Sequence, residues 1–262
     1  MQPILNIAIR AARTAGSVIV RQLDRIDSLE VKEKSRNDFV SEVDKRAEEI
    51  IIDTIHKAYP DHGILAEESG SQSGNEFVWI IDPLDGTTNF LHGFPQFAVS
   101  IAVQRKNRIE HGVVFDPLRQ ELFTASRGEG AQLDNRKIRV SRRSDLGAAL
   151  LGTGFPFRNM ATLDRFLDSL RAFIPRSAGV RRAGSAALDL AYVAAGRLDG
   201  FWEFGLSPWD MAAGALIIRE AGGMVTDADG GDGFLDSGNI VAGNPQVLKA
   251  MLKTLKSVDV RH

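Results

Sequence analysis

The segment Trp79-Ile80-Ile81-Asp82-Pro83-Leu84-Asp85-Gly86-Thr87-Thr88-Asn89-Phe90 limits what this chain can fold into more than any other. An apolar run rich in β-formers, Phe77 to Asp82, reads as a buried strand and passes straight into two carboxylates spaced three apart. Acids are poor material for a core, because a buried carboxylate loses its hydration. Pro83 stops the strand, so the chain turns and both side chains can converge on one point. Like charges converge where a cation offsets their repulsion. Gly86 and Thr87 then present backbone N–H groups at an expected helix start, an arrangement that favours a phosphate. Taken alone, Asp85-Gly86 reads as an ordinary turn and Asp82 as an ordinary strand-end cap. Two further acidic segments add weight. Glu67 and Glu68 precede the strand, and Asp210, in Ser207-Pro208-Trp209-Asp210, opens a long helical stretch where an acid also has a capping explanation.

Three acidic clusters in a chain with a Cys count of 0 and no neighbouring His make a hard-oxygen donor set, suited to magnesium or manganese rather than zinc. His56, His62, His92, His111 and His262 show no paired ligand spacing, and each reads as a surface or loop residue. There is no Gly-x-Ser-x-Gly elbow, which weakens a serine-hydrolase reading. The missing thiols exclude disulfides and fit a reducing compartment. The 32 basic and 34 acidic residues nearly cancel to a net charge of -2, so no global pull toward nucleic acid or anionic membrane is expected. Near the N-terminus, Ile4, Ile7, Ala11, Ala15 and Ile19 recur at helical spacing with Arg10 and Arg13 between them, the pattern of an amphipathic helix and not of a leader. No apolar run approaches the roughly 18 residues of a membrane helix. A cytoplasmic protein without membrane contact is expected.

A chain of 262 residues can form one large domain or two packed lobes. Helices are expected over about 3–23 and 41–58, the second capped by Ser41 and closed before Pro60, followed by a loop over 61–75 that carries Glu67 and Glu68. Strands at 77–82, 97–103, 111–115 and 121–125 suggest antiparallel sheet. After about Val140, strands at 149–153, 199–203, 223–226 and 239–242 alternate with helices at 161–173, 185–195, 209–221 and 245–256. The expected organisation is an α+β lobe over 1–140, holding most of the acids, and an α/β lobe over 141–262, packed as one functional unit.

With those residues in view, the Trp79–Phe90 segment, together with Trp209-Asp210-Met211-Ala212-Ala213-Gly214 and Glu220-Ala221-Gly222-Gly223, resembles both signatures of the inositol monophosphatase family. Ala66-Glu67-Glu68-Ser69 resembles its third acidic segment. The segments stand in the family's order, the resemblance extends over nearly the whole chain, and the bacterial inositol-1-monophosphatase-like branch is the most similar. It implies a layered αβαβα sandwich of the sugar-phosphatase type, a homodimer, a site between the lobes, two to three Mg2+ ions and lithium sensitivity. Glu67, Asp82 and the Leu84 carbonyl would bind a first metal, and Asp82, Asp85 and Asp210 a second, with a third leaning on Glu67. Gly86 and Thr87 would cradle the phosphate. Glu67 and Thr87, the latter oriented by Asp44, would serve the catalytic water, which attacks in line without a phosphoenzyme. Asp85, Ala186, Glu203 and Asp210 would contact the substrate. The Arg181-Arg182 pair is a departure from some members and could favour a more anionic substrate.

The resemblance implies hydrolysis of an inositol monophosphate, a small phosphorylated polyol. Alternatives are a nucleotide such as 3′-phosphoadenosine 5′-phosphate or a sugar phosphate. Bacterial members similar to this chain are also associated with transcription antitermination complexes on ribosomal RNA operons, so an interaction role with such factors is a further expectation.

Overall fold

A computed structural model describes residues 2–28, 31–35, 38–157 and 160–259. Helix α1 (Pro3–Gln22) opens with proline, whose missing N–H is no loss in a first turn, and buries Leu5, Ala8, Ala11, Ala12, Ala15 and Ile19 on one face. A hairpin of β1 (Val31–Ser35) and β2 (Asp38–Ser41) leads into α2 (Glu42–Ala58). Ser41 caps that helix as expected: its hydroxyl accepts from the Val43 N–H at 3.2 Å, while the Asp44 carboxylate accepts from the Ser41 N–H at 2.8 Å.

Eight strands form the first sheet: β3 (Gly63–Ala66), β4 (Gly70–Gln72), β5 (Phe77–Asp85), β6 (Ala98–Arg105), β7 (Arg108–Asp116), β8 (Glu121–Ser126), β9 (Gly130–Leu133) and β10 (Arg136–Lys137). Their order is β10-β9-β8-β7-β6-β5-β3-β4, antiparallel apart from the parallel pair β3–β5. A short helix, α3 (Thr87–Leu91), joins β5 to β6. The expected loop over 61–75 therefore contains two strands. Each is only three or four residues long, so a partner strand decides its conformation: β3 pairs with β5, and β4 pairs with β3 at the edge of the sheet.

The second sheet holds β11 (Leu150–Thr153), β12 (Gly179–Arg181), β13 (Gly200–Glu203), β14 (Met224–Thr226) and β15 (Ile240–Gly243), in the order β12-β11-β13-β15-β14. Around it lie α4 (Leu163–Phe173), α5 (Ala186–Ala194), α6 (Pro208–Glu220), α7 (Phe234–Ser237) and α8 (Pro245–Asp259).

Three apolar interfaces stack these elements into five layers. Helices α1 and α2 cover one face of the first sheet through Ile19, Ile51, Trp79, Ile101 and Phe115. Helices α5 and α6 fill the space between the sheets, where Leu190 and Ile217 join Ile80 and Phe123 of one sheet to Phe201 and Ala242 of the other. Helices α4 and α8 cover the far face through Phe166, Phe173, Trp202 and Met251. This is the αβαβα sandwich. It explains why β5 is a continuous apolar run, with Trp79 and Ile80 facing different layers, and why α6 is buried from Asp210 to Ile218. Close approach of α6 requires glycine: a Cβ on Gly112 of β7 would stand 2.8 Å from the Ala213 carbonyl, and one on Gly214 would stand 2.6 Å from Leu190. No helix among the described residues is long and apolar enough to cross a membrane.

Candidate active site

In a regular strand, residues three apart point to opposite faces. Between Asp82 and Asp85, β5 advances three residues while its partner β6 advances two, from Ser100 to Ala98, so one extra residue bulges out. The bulge at Pro83-Leu84 brings both carboxylates to one side. Asp82 Oδ1 accepts the Leu84 N–H at 3.0 Å, closing the turn. Asp85 Oδ2 accepts the Ser185 hydroxyl at 2.6 Å and the Ala187 N–H at 2.8 Å, which fixes it against the start of α5. Asp210 lies in the first turn of α6 and accepts the Ser207 N–H at 2.7 Å, while Ser100 Oγ donates to the Trp209 carbonyl at 3.0 Å and ties that turn to β6. The expected convergence is present: one carboxylate oxygen from each of Asp82, Asp85 and Asp210 lies within 4.8 Å of the others.

All three acids are buried, Asp82 to 1 % exposure. Burial first, then the charges of Glu67, Asp85 and Asp210, push the Asp82 carboxyl well above the usual range. Burial likewise carries Asp85 to about 6, against the lowering effect of its bonds from Ser185 and Ala187. Converging, desolvated carboxylate oxygens with the Leu84 carbonyl in the same wall fit a hard divalent cation, which would relieve the repulsion and use the oxygens as ligands.

Glu67 is delivered by β3. Its N–H donates to the Ile81 carbonyl at 3.2 Å, extending the parallel pairing so that Glu67 flanks Asp82. The next turn is held by Glu48 of α2, 3 % exposed, whose two oxygens accept the N–H groups of Glu68 and Ser69 at 2.8 Å each. The sequence reading missed Glu48, although its spacing of four from Asp44 puts both acids on one face of α2. Asp44 is buried and accepts the Thr87 hydroxyl at 2.8 Å, as expected; that hydroxyl also lies 3.0 Å from the Leu84 carbonyl. Burial raises the Asp44 pKa, and bonds from Ser41 and Thr87 oppose it. Gly86 has φ +96°, and a Cβ there would come 2.9 Å from the Gln96 carbonyl, so the turn into α3 requires glycine.

A pocket of about 150 Å³ opens over these groups, between the two sheets. Glu67, Asp82, Asp85 and Thr87 line one wall, and Ala186, Glu203 and Asp210 face them from the C-terminal half. Asn89 bridges the two sides, donating to the carbonyls of Gln96 at 2.7 Å and Ala183 at 2.9 Å. Asp189, Phe155 and Phe157 also line the pocket and were not singled out from sequence. Arg182 sits over both phenylalanine rings, 5.1 and 5.2 Å from their centroids. Two histidines differ from expectation. His62 is buried, stacked between Tyr59 and Phe77, and accepts the Trp79 indole N–H at 2.9 Å; His111 is buried and bonded to Ser126. Both belong to the core rather than the surface, and His262 lies outside the described residues.

A sequence profile described as the inositol monophosphatase family matches residues 1–259. The chain belongs to the inositol monophosphatase family. The Nus factor SuhB of Pseudomonas aeruginosa is 58 % identical over 262 residues, covering 98 % of this chain and 97 % of that one. The extragenic suppressor protein suhB of Bartonella henselae has a similar crystal structure, with a TM-score of 0.95 at 46 % identity and coverage of 97 % of this chain and 99 % of that chain. The inositol monophosphatase of Anabaena aligns with a TM-score of 0.88 at 40 % identity, covering 97 % of this chain and 95 % of that chain. The family is one of metal-dependent phosphatases, and the chain carries a buried acidic cluster that could hold a metal ion.

Proposed function

We propose that this protein hydrolyses an inositol monophosphate to inositol and phosphate, using two to three Mg2+ ions. The observation that supports this best is the convergence of Asp82, Asp85 and Asp210 beside Glu67 and Thr87 in one pocket. Glu67, Asp82 and the Leu84 carbonyl would hold one ion, Asp82, Asp85 and Asp210 a second, and Glu67 would contribute to a third. Such ions supply Lewis-acid charge to phosphate oxygens and lower the pKa of water.

The chain's own groups do the rest. Backbone N–H groups of Gly86 and Thr87 donate to the phosphate. The Thr87 hydroxyl donates its hydrogen bond to Asp44, which leaves its lone pairs free to accept a hydrogen bond from the attacking water, and Glu67 takes a proton from that water. Water attacks phosphorus in line and loses a proton to Glu67, the bond to the alcohol oxygen breaks, and the alkoxide takes a proton from a second water whose hydroxide is neutralised by the proton on Glu67, with no phosphoenzyme. Asp85, Ala186, Glu203 and Asp210 position the inositol ring. The protein acts in the cytoplasm as a homodimer.

The test is phosphate release from inositol monophosphate, fructose 1,6-bisphosphate, 3′-phosphoadenosine 5′-phosphate and glycerol 2-phosphate, with Mg2+ titrated and lithium added in parallel. Preference for inositol monophosphate is expected. Preference for the nucleotide would keep the metal site and replace the substrate.

A second role is favoured by the relative called a Nus factor: association with transcription antitermination factors. A pull-down with Asp82→Asn separates the two, since loss of turnover with undiminished capture makes the partner surface independent of catalysis.

A further inference from the structure

Asp189 is a carboxylate without a task in the scheme above. It lies on α5 one turn beyond Ser185, to whose carbonyl its N–H donates at 3.0 Å. The side chain is 2 % exposed and lines the pocket, and no hydrogen bond or ion pair joins its carboxylate to any described residue. A buried acid without a donor is costly and calls for an explanation. Glu203, half-buried, also lines the pocket with no hydrogen bond or ion pair to a described residue, on the opposite side of one short segment. A Cβ on Gly152 would stand 3.6 Å from Asp189 Cγ, and a Cβ on Gly154 would collide with the Glu203 carboxylate. The end of β11 thus runs between the two acids, in ordinary contact with Asp189 at Gly152 and leaving room for Glu203 at Gly154. Burial raises both carboxyls, and Arg182 is the cation that opposes this for both.

Two acceptors lining one pocket with the phosphate site match an alcohol that presents several hydroxyl donors. We propose that Asp189 is a specificity-determining residue: together with Glu203 it accepts hydrogen bonds from two hydroxyls of the substrate, so that the pocket selects phosphate esters of polyhydroxylated alcohols over those of simple alcohols. An ester lacking the hydroxyls would leave both acids unpaired, which is a stronger basis for discrimination than shape. This proposal rests on the phosphomonoesterase reading and adds a residue to its substrate end.

The experiment compares wild type, Asp189→Asn and Asp189→Ala on inositol 1-phosphate and on cyclohexyl phosphate, the same ring without hydroxyls, at saturating Mg2+. For inositol 1-phosphate, kcat/KM should fall roughly tenfold or more, mainly through KM, as expected for loss of a hydrogen bond to a charged acceptor. For cyclohexyl phosphate it should stay within about threefold of wild type. Asp189→Asn keeps the shape and removes a buried charge, so its Tm should equal or exceed that of wild type. Equal losses on both esters would overturn the proposal and assign Asp189 to support of the neighbouring metal carboxylates; no loss on either would also overturn it. If wild type hydrolyses neither ester, the phosphatase reading fails, and calorimetry with the same two esters and Mg2+ decides for Asp189. Binding that needs the hydroxyls and is lost in the variants supports it, and binding unaffected by the variants, or no binding, rejects it.

Discussion

Asp82 and Asp85 share a side of the sheet only because Pro83-Leu84 inserts one residue into β5, and this local distortion places two acids where regular pleating would separate them. Burial holds Asp85 at about 6. A raised folded-state pKa contributes stability that is complete below the unfolded value of 3.8 and is lost as pH rises through about 6. A divalent cation reverses that loss by favouring the ionised form. The increase in Tm caused by saturating Mg2+ should therefore be small at pH 4.5 and reach a plateau above pH 7, as read by scanning fluorimetry; a pH-independent increase would contradict the carboxylate assignment. These acids were legible in sequence because each stands against a strand, a proline or a glycine, where a charge is out of place. Glu48 and Asp189 were not. Each sits within a helix as an unremarkable acid, and only the contact with Glu68 and Ser69, or the opening toward the pocket, distinguishes it.

Among the elements, α2 and α6 set the site. Helix α2 presents Asp44 and Glu48 one turn apart, the first to Thr87 and the second to the turn after Glu67. Helix α6 brings Asp210, and its distance from the first sheet is set by Gly112. Gly112→Val should push α6 away, cost about 1–3 kcal/mol in chemical denaturation through overpacking, and lower turnover beyond what the stability loss explains. Full activity would show that α6 tolerates displacement. Most helices were legible from periodicity and caps, Ser41 among them, and so were the longer strands. The hairpin β1–β2 and the strands β3, β4, β9, β10 and β12 were not, because segments of two to five residues take their conformation from a partner strand that local pattern does not reveal.

At the scale of the whole molecule, the two sheets share the α5–α6 layer, so acids more than a hundred residues apart in sequence, Asp82 and Asp210, meet across a single packed core. The layered architecture followed from the resemblance; the alternation of strands and helices alone gave only two lobes. Ester hydrolysis by this chain requires the shared acids to be a metal centre. The most direct measurement is phosphate release from inositol monophosphate as a function of Mg2+ concentration, for wild type, Asp82→Asn and Asp210→Asn. Wild type should require Mg2+, and each variant, folded by circular dichroism, should lose on the order of a thousandfold in kcat or more, because the side chain keeps its shape while the ligand charge that stabilises the transition state is gone. Mg2+-dependent turnover at the wild-type rate in either variant would contradict it.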